Sequence, residues 1–285
     1  MVAPMTTTVA VLGLGLLGKG FAENLLAKGH AVRVWNRTPA RAQPLAAKGA
    51  TACASPAEAV RGASRVHLIL AEDAAVDAVT EALRPDLAAG AYVIDHSTNL
   101  PAGVAARFAR LRAAAVRYVH APVFMGPANS RDATGLMLLS GPAEDEAALR
   151  PLLETMTGRV LYLGAEPDKA AKLKLAGNGL LIMLTAAMGD LFRMGQASGV
   201  SPEEILALFD VFSPTGAGMG RRALAVGKQP AGFELTMARK DVRLMLETAR
   251  AARLTVLPAV AAAMDDAIAD GRGTHDFATI AAPRS

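Results

Sequence analysis

Apolar and polar positions in the first half of the chain are spaced as short strands separated by helices. Residues 9–12 form an apolar run, glycines follow, and a helical spacing then runs through Phe21, Leu25 and Leu26. Ala31-Val32-Arg33-Val34-Trp35 reads as the next strand and completes one βαβ unit. The alternation continues with a strand over 66–70, a helix over 75–83 and a strand over 91–95. Further strands are predicted at 117–119, 136–139 and 159–163. Strands alternating with helices imply a mostly parallel sheet covered on both faces, the doubly wound α/β class.

After Gly164 the strands stop. Helical spacing covers 168–198, 202–210, 217–227, 234–252 and 256–270. Gly164-Ala165-Glu166-Pro167-Asp168 has turn chemistry and ends on a helix-starting aspartate, which puts a boundary there. Two domains are expected: a doubly wound domain over 1–165 and an all-α domain over 166–285, joined by a long helix.

Composition narrows the function classes. Hydrophobic residues make up 52% of 285, enough for two cores, and argue against disorder. Charged residues make up 20%, with a net charge of +4 and no basic block, and aromatics make up only 4%. Nucleic acid is therefore not an expected partner. The longest uncharged run, 175–189, is short of the roughly 18 apolar residues of a membrane span, so no membrane partner is expected. The first residues lack the basic segment of a secretory signal, and Cys53 is the single cysteine. A cytoplasmic setting is the expectation.

Gly13-Leu14-Gly15-Leu16-Leu17-Gly18 follows a strand and opens a helix. In that place Gly13 permits a tight turn, Gly15 lets backbone approach a pyrophosphate, and Gly18 allows close helix packing. The helix N-terminus adds N–H donors and dipole for the phosphates. At the end of the second strand an acid would bind a ribose hydroxyl and repel a 2′-phosphate. This chain has Asn36, Arg37 and Thr38, which favours NADP(H) over NAD(H), although a solvated turn explains Arg37 as well. Leu70 and Ala71, ending another parallel strand, are expected beneath the cofactor.

Several motifs together resemble the β-hydroxyacid dehydrogenase family, which includes 3-hydroxyisobutyrate dehydrogenases and glyoxylate/succinic semialdehyde reductases. They are the glycine motif, Asp95-His96-Ser97-Thr98, Ala121-Pro122-Val123, Lys174-Leu175-Ala176-Gly177-Asn178, and Phe233 followed by Lys240-Asp241. The resemblance runs nearly end to end. It implies a Rossmann domain, a helical domain, a small-molecule substrate at their junction and a homodimer or homotetramer.

Lys174 and Asn178 are four apart, so a helix projects both from one face. An ammonium entering an uncharged helix needs a partner or a task. The resemblance gives it the task of general acid to the carbonyl oxygen, with Asn178 orienting the substrate. Lys172 faces elsewhere and has no such role. By the same resemblance Thr98 lies against the nicotinamide half of the cofactor and Lys240 closes the site from the helical domain. A turn cap and a surface ion pair are the plain alternatives. Similar enzymes have Ser-Gly-Gly after Ala-Pro-Val, where small residues and backbone donors hold a carboxylate. Here Val123 is followed by Phe124, Met125 and Gly126, which puts that grip in question and makes a more apolar aldehyde, ketone or imine credible. His120 fits a strand end better than a proton donor. Three activities stay open: an NADPH-dependent carbonyl reductase using Lys174, an imine reductase, and a non-catalytic NADP-binding interaction protein.

Overall fold

Strand β1 (Thr8–Leu12) is buried beyond its first residue, as a central strand covered on both faces must be. In the computed structural model, which describes residues 7–250 and 254–282, β1 pairs in parallel with β2 (Ala31–Trp35) and β4 (Arg65–Leu68). β3 (Thr51–Ala52), β5 (Tyr92–Asp95) and β6 (Arg117–His120) complete a six-stranded parallel sheet in the order β3-β2-β1-β4-β5-β6. The order reverses between β1 and β4, and a doubly wound sheet opens its ligand crevice beyond the strand ends at that point.

Helices α1 (Leu16–Ala27), α2 (Gln43–Ala46), α3 (Pro56–Val60), α4 (Asp73–Leu83) and α5 (Pro101–Ala113) connect these strands. Two apolar clusters divide the sheet's side chains. One gathers Val9, Val11, Phe21, Leu25, Val34 and Ile94, and the other Ala10, Leu12, Val66, Leu68, Val93 and Val104. Successive residues of β1 enter different clusters, as period-two side chains must.

Beyond β6 the chain leaves this sheet. β7 (Val123–Phe124) runs antiparallel to β8 (Leu136–Leu139), which pairs in parallel with β9 (Arg159–Tyr162). The predicted strands at 136–139 and 159–163 therefore exist, but in a separate three-stranded sheet. Pro122 cannot donate to a ladder and marks the break; its carbonyl instead accepts from Leu138 N–H at 2.8 Å. α6 (Pro127–Asp132) and α7 (Ala143–Leu153) flank these strands in sequence, and Met137, Leu139, Leu149, Leu153 and Val160 join the first apolar cluster.

The rest is helical: α8 (Lys169–Ala197), α9 (Pro202–Phe212), α10 (Pro214–Leu224), α11 (Leu235–Ala249) and α12 (Leu257–Ala267). The chain forms two compact units, 1–174 and 175–285, and the division between them falls inside α8. Alone among the described residues, α8 is long and apolar enough to cross a membrane, yet it buries the polar Lys174, Asn178 and Thr185 within protein. The second unit has its own core of Met188, Phe192, Leu206, Ala217 and Ala278. The initial segment 1–6, read above for targeting, and the end of the predicted helix 234–252 lie outside the described residues.

Candidate active site

The glycine motif forms an open cradle at the β1–β4 reversal. Gly13 adopts φ +96°, and a Cβ there would lie 2.2 Å from the Ile69 carbonyl oxygen; at Gly18 a Cβ would lie 1.8 Å from the Gly13 oxygen. Both positions thus need glycine for close packing, whereas a Cβ at Gly15 would meet nothing within 4 Å. That opening, in front of the α1 N-terminus, suits a pyrophosphate. Leu14, Leu16 and Leu17 supply the surrounding backbone. Asn36 braces the loop from the side: its Oδ1 accepts from Leu14 N–H at 2.9 Å and its amide donates to the Thr38 carbonyl at 3.0 Å. Arg37 and Thr38 are exposed beyond the end of β2.

The second wall is the 96–100 loop. Asp95 is fully buried and accepts from Ser97 N–H (2.9 Å), the Asn99 amide (2.7 Å) and the Tyr118 hydroxyl (2.8 Å). Burial pushes the Tyr118 hydroxyl well above the usual phenol range, so it stays a donor. Arg107, 1% exposed, donates to Asp73 and Asp77, and Asp73 in turn accepts from Leu100 N–H at 2.9 Å. Ser97 Oγ accepts from Leu70 N–H at 2.9 Å. One buried network therefore fixes both the half-buried Thr98 and the 70–71 segment. His120 donates from Nε2 to the Ser97 carbonyl at 2.9 Å, a strand-end role.

Lys174 lies on the first turns of α8, whose start is pinned when Ala170 N–H donates to Ser140 Oγ at 3.0 Å. It is 93% buried, and its ammonium stands 4.0 Å from the centroid of the Phe124 ring. Lys172 is exposed and pairs with Glu166 and Asp168, as its different face predicts. Met125 does not accompany Phe124. It lies just past the end of β7 and packs against the first apolar cluster. The N–H of Gly126, the one glycine left of the family's Ser-Gly-Gly, is given to Asn129 Oδ1 at 2.8 Å. Val123 is buried in the core.

In the second unit Asn178 donates its amide to Asp241 at 2.6 Å, and Lys240 lies 2.6 Å from the same carboxylate. A carboxylate only accepts, so the Asn178 amide nitrogen faces Asp241 and its carbonyl oxygen faces away. Lys240 thus has an ion pair, but a largely buried one and not the surface pair expected as the plain alternative. The N-terminus of α11 is set by Asp276, which takes a bidentate Arg222 (2.9 and 2.8 Å) and the Gly232 N–H (3.0 Å).

Residues 8–164 match the model of the NAD binding domain of 6-phosphogluconate dehydrogenase. Residues 169–283 match the model described as NAD-binding of NADP-dependent 3-hydroxyisobutyrate dehydrogenase. The chain belongs to the β-hydroxyacid dehydrogenase family. A member from Escherichia coli strain K12, 3-sulfolactaldehyde reductase, is 30% identical over 95% of this chain and 94% of its own length. In fold, this dehydrogenase-family chain is similar to the 3-hydroxyisobutyrate dehydrogenase of Salmonella typhimurium (TM-score 0.85, 21% identity, 96% and 99% of the chains covered). It is less similar to an imine reductase from a Pseudomonas species (TM-score 0.68, 23% identity, 96% and 98% covered). Beside the candidate site this family member also carries buried polar residues that the sequence left without a role: Asp95 with Arg107, and Asp241. Asp95 and Asp241 stand in quoted motifs, which was the available signal; Arg107 had none.

Proposed function

We propose that this oxidoreductase is an NADPH-dependent carbonyl reductase in which Lys174 is the general acid. The observation that carries the reading is an almost fully buried ammonium at the start of α8, on a helix whose next turn presents Asn178. Bound NADPH supplies the hydride. The glycine cradle holds its pyrophosphate, and Arg37 with Thr38 meets the 2′-phosphate, where Arg37 provides a charge-assisted contact that an acid there would forbid. As charge grows on the substrate oxygen, the Lys174 ammonium stabilises it and transfers a proton to it, leaving an alcohol and a neutral amine that solvent reprotonates. Asn178, held by Asp241, orients the substrate, and Lys240 lines the same part of the helical unit. The aldehyde-reductase name of the Escherichia coli relative supports the carbonyl as substrate. Val211 and Phe212 on α9, 88% and 79% exposed, support a homo-oligomer.

The test is NADPH oxidation with a panel of aldehydes, ketones and a pyrroline. Aldehyde or ketone turnover with NADPH well above that with NADH is expected. Turnover confined to the pyrroline, or none with any compound, contradicts the proposal.

A further inference from the structure

Phe124 is the side chain that the first unit lays directly on the proposed acid. Its ring centroid is 4.0 Å from Lys174 Nζ, a cation–π distance. The contact is fixed from both sides. Phe124 is held in β7 opposite Leu136, and α8 is pinned near its start by Ser140. A flexible four-carbon stem is thereby given one preferred direction, and one flank of the ammonium is covered by an apolar face that donates no hydrogen bond. An acidic group on the substrate seeks such a cation and nearby N–H donors. Beside Phe124 the Gly126 N–H is already given to Asn129 Oδ1, and the Met125 side chain packs on the first apolar cluster.

We infer that Phe124 is a specificity-determining residue, whose ring on Lys174 takes the place beside the ammonium that a substrate carboxylate would use. This rests on the carbonyl-reductase reading above. The preferred substrates are then aldehydes or ketones whose substituent is uncharged and apolar. A carboxylate forced against the ring would lose hydration without gaining a hydrogen bond, whereas an alkyl chain would bury surface against it.

Butanal and succinic semialdehyde share a four-carbon aldehyde chain and differ in a terminal carboxylate, so the ratio of their kcat/KM values isolates the acid group. The parent is expected to favour butanal by at least about tenfold. Phe124→Ser uncovers the ammonium and adds a hydroxyl donor; the ratio should move toward succinic semialdehyde by at least about tenfold. Phe124→Leu keeps apolar bulk and should stay within about threefold of the parent ratio. NADPH affinity, measured on each variant, reports that the fold is intact. A parent preference for succinic semialdehyde, a ratio unmoved by Phe124→Ser, or an equal shift in Phe124→Leu overturns the role of Phe124. Reduction of both aldehydes that survives Lys174→Ala, or no reduction of either, counts instead against the carbonyl-reductase reading.

Discussion

Arg37 stands exposed just beyond the end of β2, while its neighbour Asn36 is used up in bracing the glycine loop. The two residues therefore divide the work: Asn36 shapes the cradle and Arg37 is available to a phosphate. On the proposed reading, replacing Arg37 with Asp would put repulsion in place of a charge-assisted contact, so NADPH affinity should fall by about tenfold or more while NADH affinity changes little. Titration of Trp35 fluorescence, the single tryptophan and adjacent in sequence to Asn36, measures both. Equal weakening of the two cofactors contradicts the role given to Arg37. The glycine motif was legible in the sequence because it carries its chemistry in its own type and spacing, whereas Lys174 alone reads as an ordinary helical lysine and takes its proposed task only from the family resemblance. Asp95 was legible only as part of a motif. Its meaning depends on Tyr118 and Arg107, which reach it through folding from β6 and α5. Met125, just past the end of β7, packs on the first apolar cluster, a contact that its type and place in the sequence do not reveal.

Among the elements, β4, β5 and β6 place three histidines at or just beyond their carboxyl ends. His96 Nδ1 is 2.6 Å from the Ala121 carbonyl, which only accepts, so Nδ1–H donates and the neutral ring takes a hydrogen bond from His67 Nδ1–H at 2.9 Å. Burial lowers all three rings: His96 to about 4, His67 well below its usual value and His120 in the same direction. The folded chain thus refuses protons that the unfolded chain accepts below about pH 6.5. Stability should fall as pH drops from there toward 4, with His96 alone costing on the order of 3 kcal/mol. Denaturant unfolding at pH 7.5 and pH 5 measures this, and equal stability at both contradicts the buried neutral rings. The main strands and long helices were readable because apolar runs and helical spacing are local properties. The separate sheet of β7, β8 and β9 was not, since membership of a sheet is set by pairing between distant segments and Pro122 only hints at the break.

At the scale of the whole molecule, family membership spans residues 8–283. The first compact unit holds the glycine cradle, Lys174 and Phe124; the second holds Asn178, Asp241 and Lys240. What makes the account one of catalysis, and not of cofactor binding alone, is the proton on Lys174. The most direct measurement is therefore Lys174→Ala assayed twice, for NADPH affinity and for carbonyl reduction. The account predicts affinity within about threefold of the parent and kcat/KM lowered by roughly a thousandfold. Carbonyl reduction at the parent rate in that variant would contradict it.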